Sequence, residues 1–86
     1  MSKEIQVEII SPEGSLFEGT GTMVVIPSVN GDMGILHGHE LVLARLQEGK
    51  VSIFNGDKKI TKELEVTGGF AKLIKENRLL ILVDGK

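Results

Sequence analysis

The residues with the most chemical potential lie in one short stretch. His37-Gly38-His39 is followed by Glu40 and preceded by Asp32. Two imidazoles and two carboxylates are donor types that hold zinc and other transition metals. On a strand, the His-x-His spacing would point both rings to the same side. A metal site also needs a third ligand and hydrogen-bond partners that orient the ligands. The glycine between the histidines argues for a loop instead, where the imidazoles hydrogen-bond the backbone or face a partner. No metal is expected there.

Other constellations fail on spacing. Glu63 and Glu65 share one strand face, and alternation makes that the solvent face. Acid–base work needs two carboxylates in different environments. Ser2, Ser11, Ser15, Ser28 and Ser52 are outside any Gly-x-Ser-x-Gly elbow. Gly19-Thr20-Gly21 lacks the third glycine of a dinucleotide loop, because Val24 stands there. The chain has no cysteine nucleophile and no Walker pattern. No catalytic group, cofactor or metal is assigned, so the chain is not read as an enzyme.

Composition narrows the classes further. The 86 residues carry 12 acids and 10 bases, a formal charge of −2. Counterion release from phosphates needs a surplus of bases, so no nucleic-acid partner is expected. With no cysteine, disulfide scaffolds are excluded. No apolar run reaches the roughly 18 residues of a spanning helix. Met1-Ser2-Lys3-Glu4 opens no signal peptide. The expectation is one domain over residues 1–86, soluble, on the cytosolic side, with no direct membrane insertion. A core with three aromatics and no staples is marginal at this length, and a partner can supply the missing stability.

Short β-like runs separated by glycine must position all of this. Ile5, Val7 and Ile9 alternate with Gln6 and Glu8, a period of two. Ser11-Pro12-Glu13-Gly14 reads as a turn. Leu16-Phe17-Glu18 is a second run, closed by Gly19-Thr20-Gly21. Met23–Ile26 is a β-branched run stopped at Pro27, which lacks the N–H of a ladder. Ser28–Gly34 reads as a polar loop, part of a glycine-rich crossover between sheets through Gly38. Its apolar residues Val29, Met33, Ile35 and Leu36 either plug the core or meet a partner. Asn55-Gly56 predicts a tight type I′ hairpin joining Lys50–Phe54 to Lys58–Lys62. Leu64 and Val66 alternate with Glu63 and Glu65. Gly68-Gly69 makes a bend, Phe70–Ile74 a run, Glu76-Asn77 a tight turn, and Leu79–Val83 a final buried strand. This spacing predicts an all-β sandwich or barrel. The alternative is mixed α+β, because Glu40–Gln47 fits a period of 3.6 as well as 2.

The segment Pro27-Ser28-Val29-Asn30-Gly31-Asp32-Met33-Gly34-Ile35-Leu36-His37-Gly38-His39 resembles the epsilon subunit of F-type ATP synthases. That family has a Gly-acid-apolar-Gly-Ile element and then Gly-His in the same region. Val7–Gly14 with Leu16–Gly19 is similar to the family's first hairpin. Leu46–Val51, Val66–Phe70 and Leu79–Asp84 are similar to its later elements, so the likeness runs along nearly the whole chain in order.

The resemblance implies a flattened β-sandwich or barrel of about ten short strands. It implies a non-catalytic central-stalk subunit between the gamma subunit and the ring of c-subunits, coupling proton-driven rotation to ATP synthesis. Such a subunit is peripheral, on the cytoplasmic face of the bacterial plasma membrane. Asp32, with Asn30 and Gly31 beside it, falls where the family's loop faces the c-ring. Ser11, His39 and Ala44 fall at positions that face gamma. This chain has His37 where the family usually has Pro, and Glu40-Leu41 where it usually has Ala-Pro. Family members usually continue into a carboxy-terminal helical hairpin that inhibits ATP hydrolysis. The hairpin is expected to be absent here, and its inhibitory role with it. The rival from another class is a stand-alone β-sandwich that binds a metal or small ligand through the loop His37–Glu40.

Overall fold

The computed structural model describes residues 4–38, 43–56, 59–75 and 77–84. They form nine strands and no helix: β1 (Ile5–Ser11), β2 (Gly14–Gly21), β3 (Met23–Ser28), β4 (Gly31–Ile35), β5 (Leu43–Leu46), β6 (Gly49–Phe54), β7 (Ile60–Val66), β8 (Gly69–Lys75) and β9 (Arg78–Val83). The all-β reading holds. Over 43–46 the period of two prevails over 3.6: Ala44 and Leu46 are buried while Leu43 and Arg45 are exposed. A ladder to β8 fixes this alternation. Residues 40–42 lie outside the described residues.

The strands form one continuous sheet in the order β2-β1-β9-β8-β5-β3-β6-β7, with β4 on the other edge of β3. All ladders are antiparallel except β1–β9. The sheet folds over so that its inner faces enclose a single core. The buried apolar residues include Ile5, Val7 and Ile9 of β1, Val24 and Ile26 of β3, Val51 and Ile53 of β6, and Leu79, Ile81 and Val83 of β9. Of the 15 buried apolar residues described, all but Ala44, Leu46, Ala71 and Leu79 are Ile or Val. β-branched side chains are stiff at χ1 and pack well on a pleated surface. A core built of them needs few aromatics.

Several local readings are corrected. β2 does not close before Gly19-Thr20-Gly21 but runs through it, because those residues pair in register with Val7, Gln6 and Ile5. β3 does not stop at Pro27. The backbone carbonyl of Pro27 accepts from Gln47 N at 2.8 Å. In a strand, the N and C=O of one residue point to the same edge. The missing N–H therefore falls where β3 exchanges its neighbour β6, last paired at Val25, for β5, paired at Ser28. No ladder bond is lost there. A Cβ on Gly49 would come within 2.7 Å of Pro27 Cβ, so glycine is what lets β6 begin against the proline ring.

The expected loop over Ser28–Gly34 is a tight hairpin. Ser28 pairs with Gly31 and Ile26 with Met33, leaving only Val29 and Asn30 to turn. Asn55-Gly56 does not form a two-residue turn. Phe54 pairs with Ile60, and Asn55 N donates to Lys59 O at 2.8 Å, which makes a longer loop. The register is set from the other end of the hairpin, where Val51 lies opposite Leu64 and Gly49 opposite Val66. A slip of one residue would turn those side chains out of the core. The loop is also stapled from outside. Gly56 N donates to Thr22 Oγ1 at 2.9 Å, and Thr22 N donates to Phe54 O at 2.7 Å.

The Gly68-Gly69 bend and the short β8–β9 turn form as expected, with Lys75 opposite Arg78. Glu76 lies outside the described residues. Gly69 has φ +135°, and a Cβ there would collide with Leu82 O and come within 2.8 Å of Val83 Cα. Gly69→Ala is expected to lower stability by about 3 kcal/mol, from backbone strain and steric conflict together. A urea titration reads this as a lower midpoint, and an unchanged midpoint would contradict it. Thr22→Val keeps the shape but removes the oxygen that holds the Gly56 N–H. Its expected loss is about 1 kcal/mol in the same titration.

Candidate functional site

Two surfaces of opposite character emerge from this sheet. The first is the tip of the β3–β4 hairpin. Ser28 is buried, and its Oγ accepts from Asn30 N at 3.1 Å, which braces the turn from below. Val29 N donates to Arg45 O at 2.9 Å and ties the tip to β5. Asn30, Gly31 and Asp32 project beyond these anchors, and all three are exposed. The tip carries the polar Asn30 and Asp32 beside Val29, which is 48% exposed, and it is held by a strand pair rather than by a free loop. Asn30, Gly31 and Asp32 are consecutive in the chain and stand together on this tip.

The second surface is the outer face of β1, β9, β8 and β5. Alternation along these strands leaves Glu8 and Ile10 outward on β1, Leu80 and Leu82 on β9, Phe70 and Lys72 on β8, and Leu43 and Arg45 on β5. The register aligns them into two rows across the sheet. One row runs Ile10–Leu82–Phe70–Arg45 and the other Glu8–Leu80–Lys72–Leu43. Leu43 is 57% exposed, Leu82 46% and Phe70 45%. Ile74 extends the apolar surface toward Arg78 and is 49% exposed. Isolated exposed apolar residues are ordinary, but several adjacent on one face mark a contact surface.

The strand β9 explains why the sequence hides this face. Leu79–Val83 is apolar at every position, which predicts burial on both sides. Only Leu79, Ile81 and Val83 are buried, while Leu80 is half-buried and Leu82 exposed. The expectation of a wholly buried strand is thereby corrected. The signal was present, since an unbroken apolar run in a sheet with one covered face implies a missing layer.

The positions expected to face gamma fall in different settings. Ser11 ends β1, next to Ile10 of the outer face. Its Oγ donates to Gly14 O at 3.2 Å and accepts from Glu13 N at 3.1 Å, so the hydroxyl braces the first turn. Ala44 is 7% exposed and packs in the core, paired with Ala71. Its flanking residues Leu43 and Arg45 carry the exposed surface at that point of β5. His39 lies outside the described residues, as does Glu40. His37 is half-exposed. Among the described residues, no three His, Asp or Glu side chains converge to hold a metal ion.

The electrostatics are those of an open surface. The ion pair among the described residues joins Lys50 and Glu63 at 3.9 Å across the exposed β6–β7 face, where screening leaves it worth little. No helix among the described residues is long and apolar enough to cross a membrane.

Known proteins share both the sequence and the architecture. Residues 4–85 match the family model for the ATP synthase delta/epsilon chain β-sandwich domain. The ATP synthase epsilon chain of Rhodospirillum rubrum is 36% identical over 84 residues, covering 98% of this chain and 61% of that protein. The epsilon chain of Campylobacter fetus is 38% identical over 81 residues, covering 94% of this chain and 61% of its own length. This chain thus spans about three-fifths of the relatives it matches. Among solved structures, a chain of the Euglena gracilis mitochondrial ATP synthase superposes with a TM-score of 0.82 at 21% identity, over 93% of this chain and 50% of that one. A chain of the Tetrahymena thermophila mitochondrial ATP synthase central stalk and c-ring superposes with a TM-score of 0.76 at 16% identity, over 98% of this chain and 66% of the other. At those identities the likeness is one of fold. The match along residues 4–85, with the nine-stranded architecture beneath it, makes the chain a member of the ATP synthase delta/epsilon chain β-sandwich domain family.

Proposed function

We propose that this chain serves as a non-catalytic central-stalk subunit of a proton-translocating F-type ATP synthase, bridging the gamma subunit and the c-subunit ring. In this role it moves with the rotor and helps couple proton-driven rotation to ATP synthesis. It works peripherally, on the cytoplasmic face of a bacterial plasma membrane. Inhibition of hydrolysis and binding of nucleotide are no part of the proposal.

The observation that carries the reading is the apolar outer face of β1-β9-β8-β5 on a domain of this family. An adaptor held permanently on one partner needs such a face. Leu43, Phe70 and Leu82 are each about half exposed. Covering them returns roughly 1 kcal/mol apiece from transfer out of water. That supports gamma as the occupant, with Leu43 and Arg45 making the contact beside Ala44, and Ser11 at the margin next to Ile10. The polar tip Asn30-Gly31-Asp32 suits the other contact, against the polar loops of the ring. Val29 links the two surfaces through its hydrogen bond to β5. A push on the tip therefore reaches the gamma-facing strands through backbone rather than through mobile side chains.

Two experiments test the two contacts separately. Phe70→Asp places a charge in the apolar face without touching the core. Tagged protein from native membranes is expected to bring down gamma and the c-ring, and the variant is expected to lose gamma. Recovery of gamma in unchanged yield would remove the assigned docking face. Asp32→Lys alters the exposed tip, where substitutions move stability by no more than about 0.5 kcal/mol. The variant is expected to fold and to co-purify with gamma, yet to lower ATP-driven proton pumping in assembled enzyme several-fold. Full pumping would rule out Asp32 as a ring contact.

A further inference from the structure

The chain holds two Asn-Gly pairs, Asn30-Gly31 and Asn55-Gly56. Asparagine is a thermolabile residue type, and such a pair carries a latent reaction between its own atoms. The backbone nitrogen of the glycine can attack Cγ, the side-chain carbonyl carbon, of the asparagine before it, because glycine has no Cβ to crowd the approach. All four residues are exposed, and a Cβ added at either glycine would meet no atom within 4 Å. Access to water therefore does not separate the two pairs. What separates them is how each glycine N–H is held.

At the β3–β4 tip, Gly31 lies in the ladder opposite Ser28. Asn30 N donates to Ser28 Oγ at 3.1 Å, and Val29 N ties the same turn to Arg45 O at 2.9 Å. Turning the Gly31 nitrogen onto Asn30 Cγ requires the end of that hairpin to unpair. At the β6–β7 end the ladder stops short of the glycine, with Phe54 opposite Ile60. Gly56 lies beyond it, in the left-handed region at φ +82°. Its N–H donates to Thr22 Oγ1 at 2.9 Å. That hydroxyl donates in turn to Phe54 O at 3.3 Å, which leaves its oxygen lone pairs to accept from Gly56. A hydrogen-bonded amide keeps its proton and its orientation more firmly than a free one. One side-chain oxygen thus restrains Gly56, where a strand ladder restrains Gly31.

We propose that Asn55 is a site of spontaneous covalent modification, its conversion to aspartate and isoaspartate through a succinimide, and that the Thr22 hydroxyl sets the rate. When the Thr22 bond opens, solvent hydroxide removes the Gly56 amide proton. The nitrogen bonds to Asn55 Cγ, the Cγ–Nδ2 bond breaks, and the departing nitrogen takes a proton from water and leaves as ammonia. Water then opens the cyclic imide. Cleavage at Cγ leaves aspartate, and cleavage at the backbone carbonyl leaves isoaspartate, with the main chain rerouted through the side chain. One water is consumed and one ammonia released, and no oxidant or cofactor takes part. Isoaspartate lengthens the loop backbone by one carbon, so Gly56 leaves Thr22 and the staple between this loop and the β2–β3 corner is lost. The product marks aged copies of the chain, whatever partners the domain takes.

The test is incubation of the 86-residue chain in warm, mildly alkaline buffer, followed by peptide mapping that resolves asparagine, aspartate and isoaspartate at each position. Conversion is expected at Asn55 ahead of Asn30. Thr22→Val is expected to speed Asn55 about fivefold, the equivalent of one ordinary hydrogen bond, and to leave Asn30 unchanged. Asn30 serves as the internal control, since a generally loosened fold would speed both sites. Thr22→Ser keeps the oxygen and is expected to stay near the wild-type rate. The proposal is overturned by an Asn55 that stays intact in the native chain while urea-unfolded chain converts, or by an Asn30 that converts as fast. It is equally overturned by a Thr22→Val chain with no acceleration at Asn55, or by a Thr22→Ser chain as fast as Thr22→Val.

Discussion

The structure depends on the point where β3 exchanges one neighbour for another. Along its first half β3 pairs with β6, and at Ser28 it pairs with β5. Two backbone hydrogen bonds secure the exchange, Gln47 N to Pro27 O and Val29 N to Arg45 O. Because β5 continues into a ladder with β8, the two layers of the sandwich are one covalently and hydrogen-bonded sheet. Layers joined only by apolar packing could slide, since packing is non-directional. A hydrogen-bonded seam resists that motion. The same few residues place the polar hairpin tip beside the edge of the apolar face, which gives a small domain two surfaces in fixed relation.

This arrangement divides the apolar residues into two populations. One is the inner set of Ile and Val, which pays for chain ordering. The other lies outward on β8, β9 and β5 and is only partly covered in the isolated fold. Phe70 belongs to the second population, so one of the three aromatics of the chain stands at the surface. The thin core anticipated from composition is thinner still in fact. Its stability rests on stiff side chains in register and on steric requirements such as that at Gly69, where a Cβ would collide with the backbone of β9.

Much of the fold was legible because alternation survives translation into structure. Ile5-Val7-Ile9 and Val51-Ile53 read as half-buried strands and are so. The first turn and the Gly68-Gly69 bend follow from turn chemistry alone. The misreadings share a cause. Pro27 and Asn55-Gly56 were interpreted by their local preferences, yet each is governed by a distant segment. Gln47 and β5 decide what Pro27 can lack, and Thr22 with the Val51–Leu64 pair decides how the Asn55 loop closes. Asn30, Gly31 and Asp32 are singled out by a likeness to a family, and the structure shows them exposed at a hairpin tip. The outer face was not, because its residues are scattered over four strands and become neighbours only through register.

By itself the sequence determined an all-β chain, which residues could enter a core, and the absence from its pattern of any recognisable catalytic spacing. These properties depend on residue type and short-range periodicity, and both are written along the chain. Tertiary structure decided which of two apolar faces is covered, since alternation separates the faces without saying which one meets another layer. It also decided that Ala44 turns inward while Leu43 and Arg45 turn out, and that Glu8 and Lys72 stand on either side of Leu80. Those outcomes rest on pairing between strands far apart in the chain, where a shift of one residue exchanges core for surface.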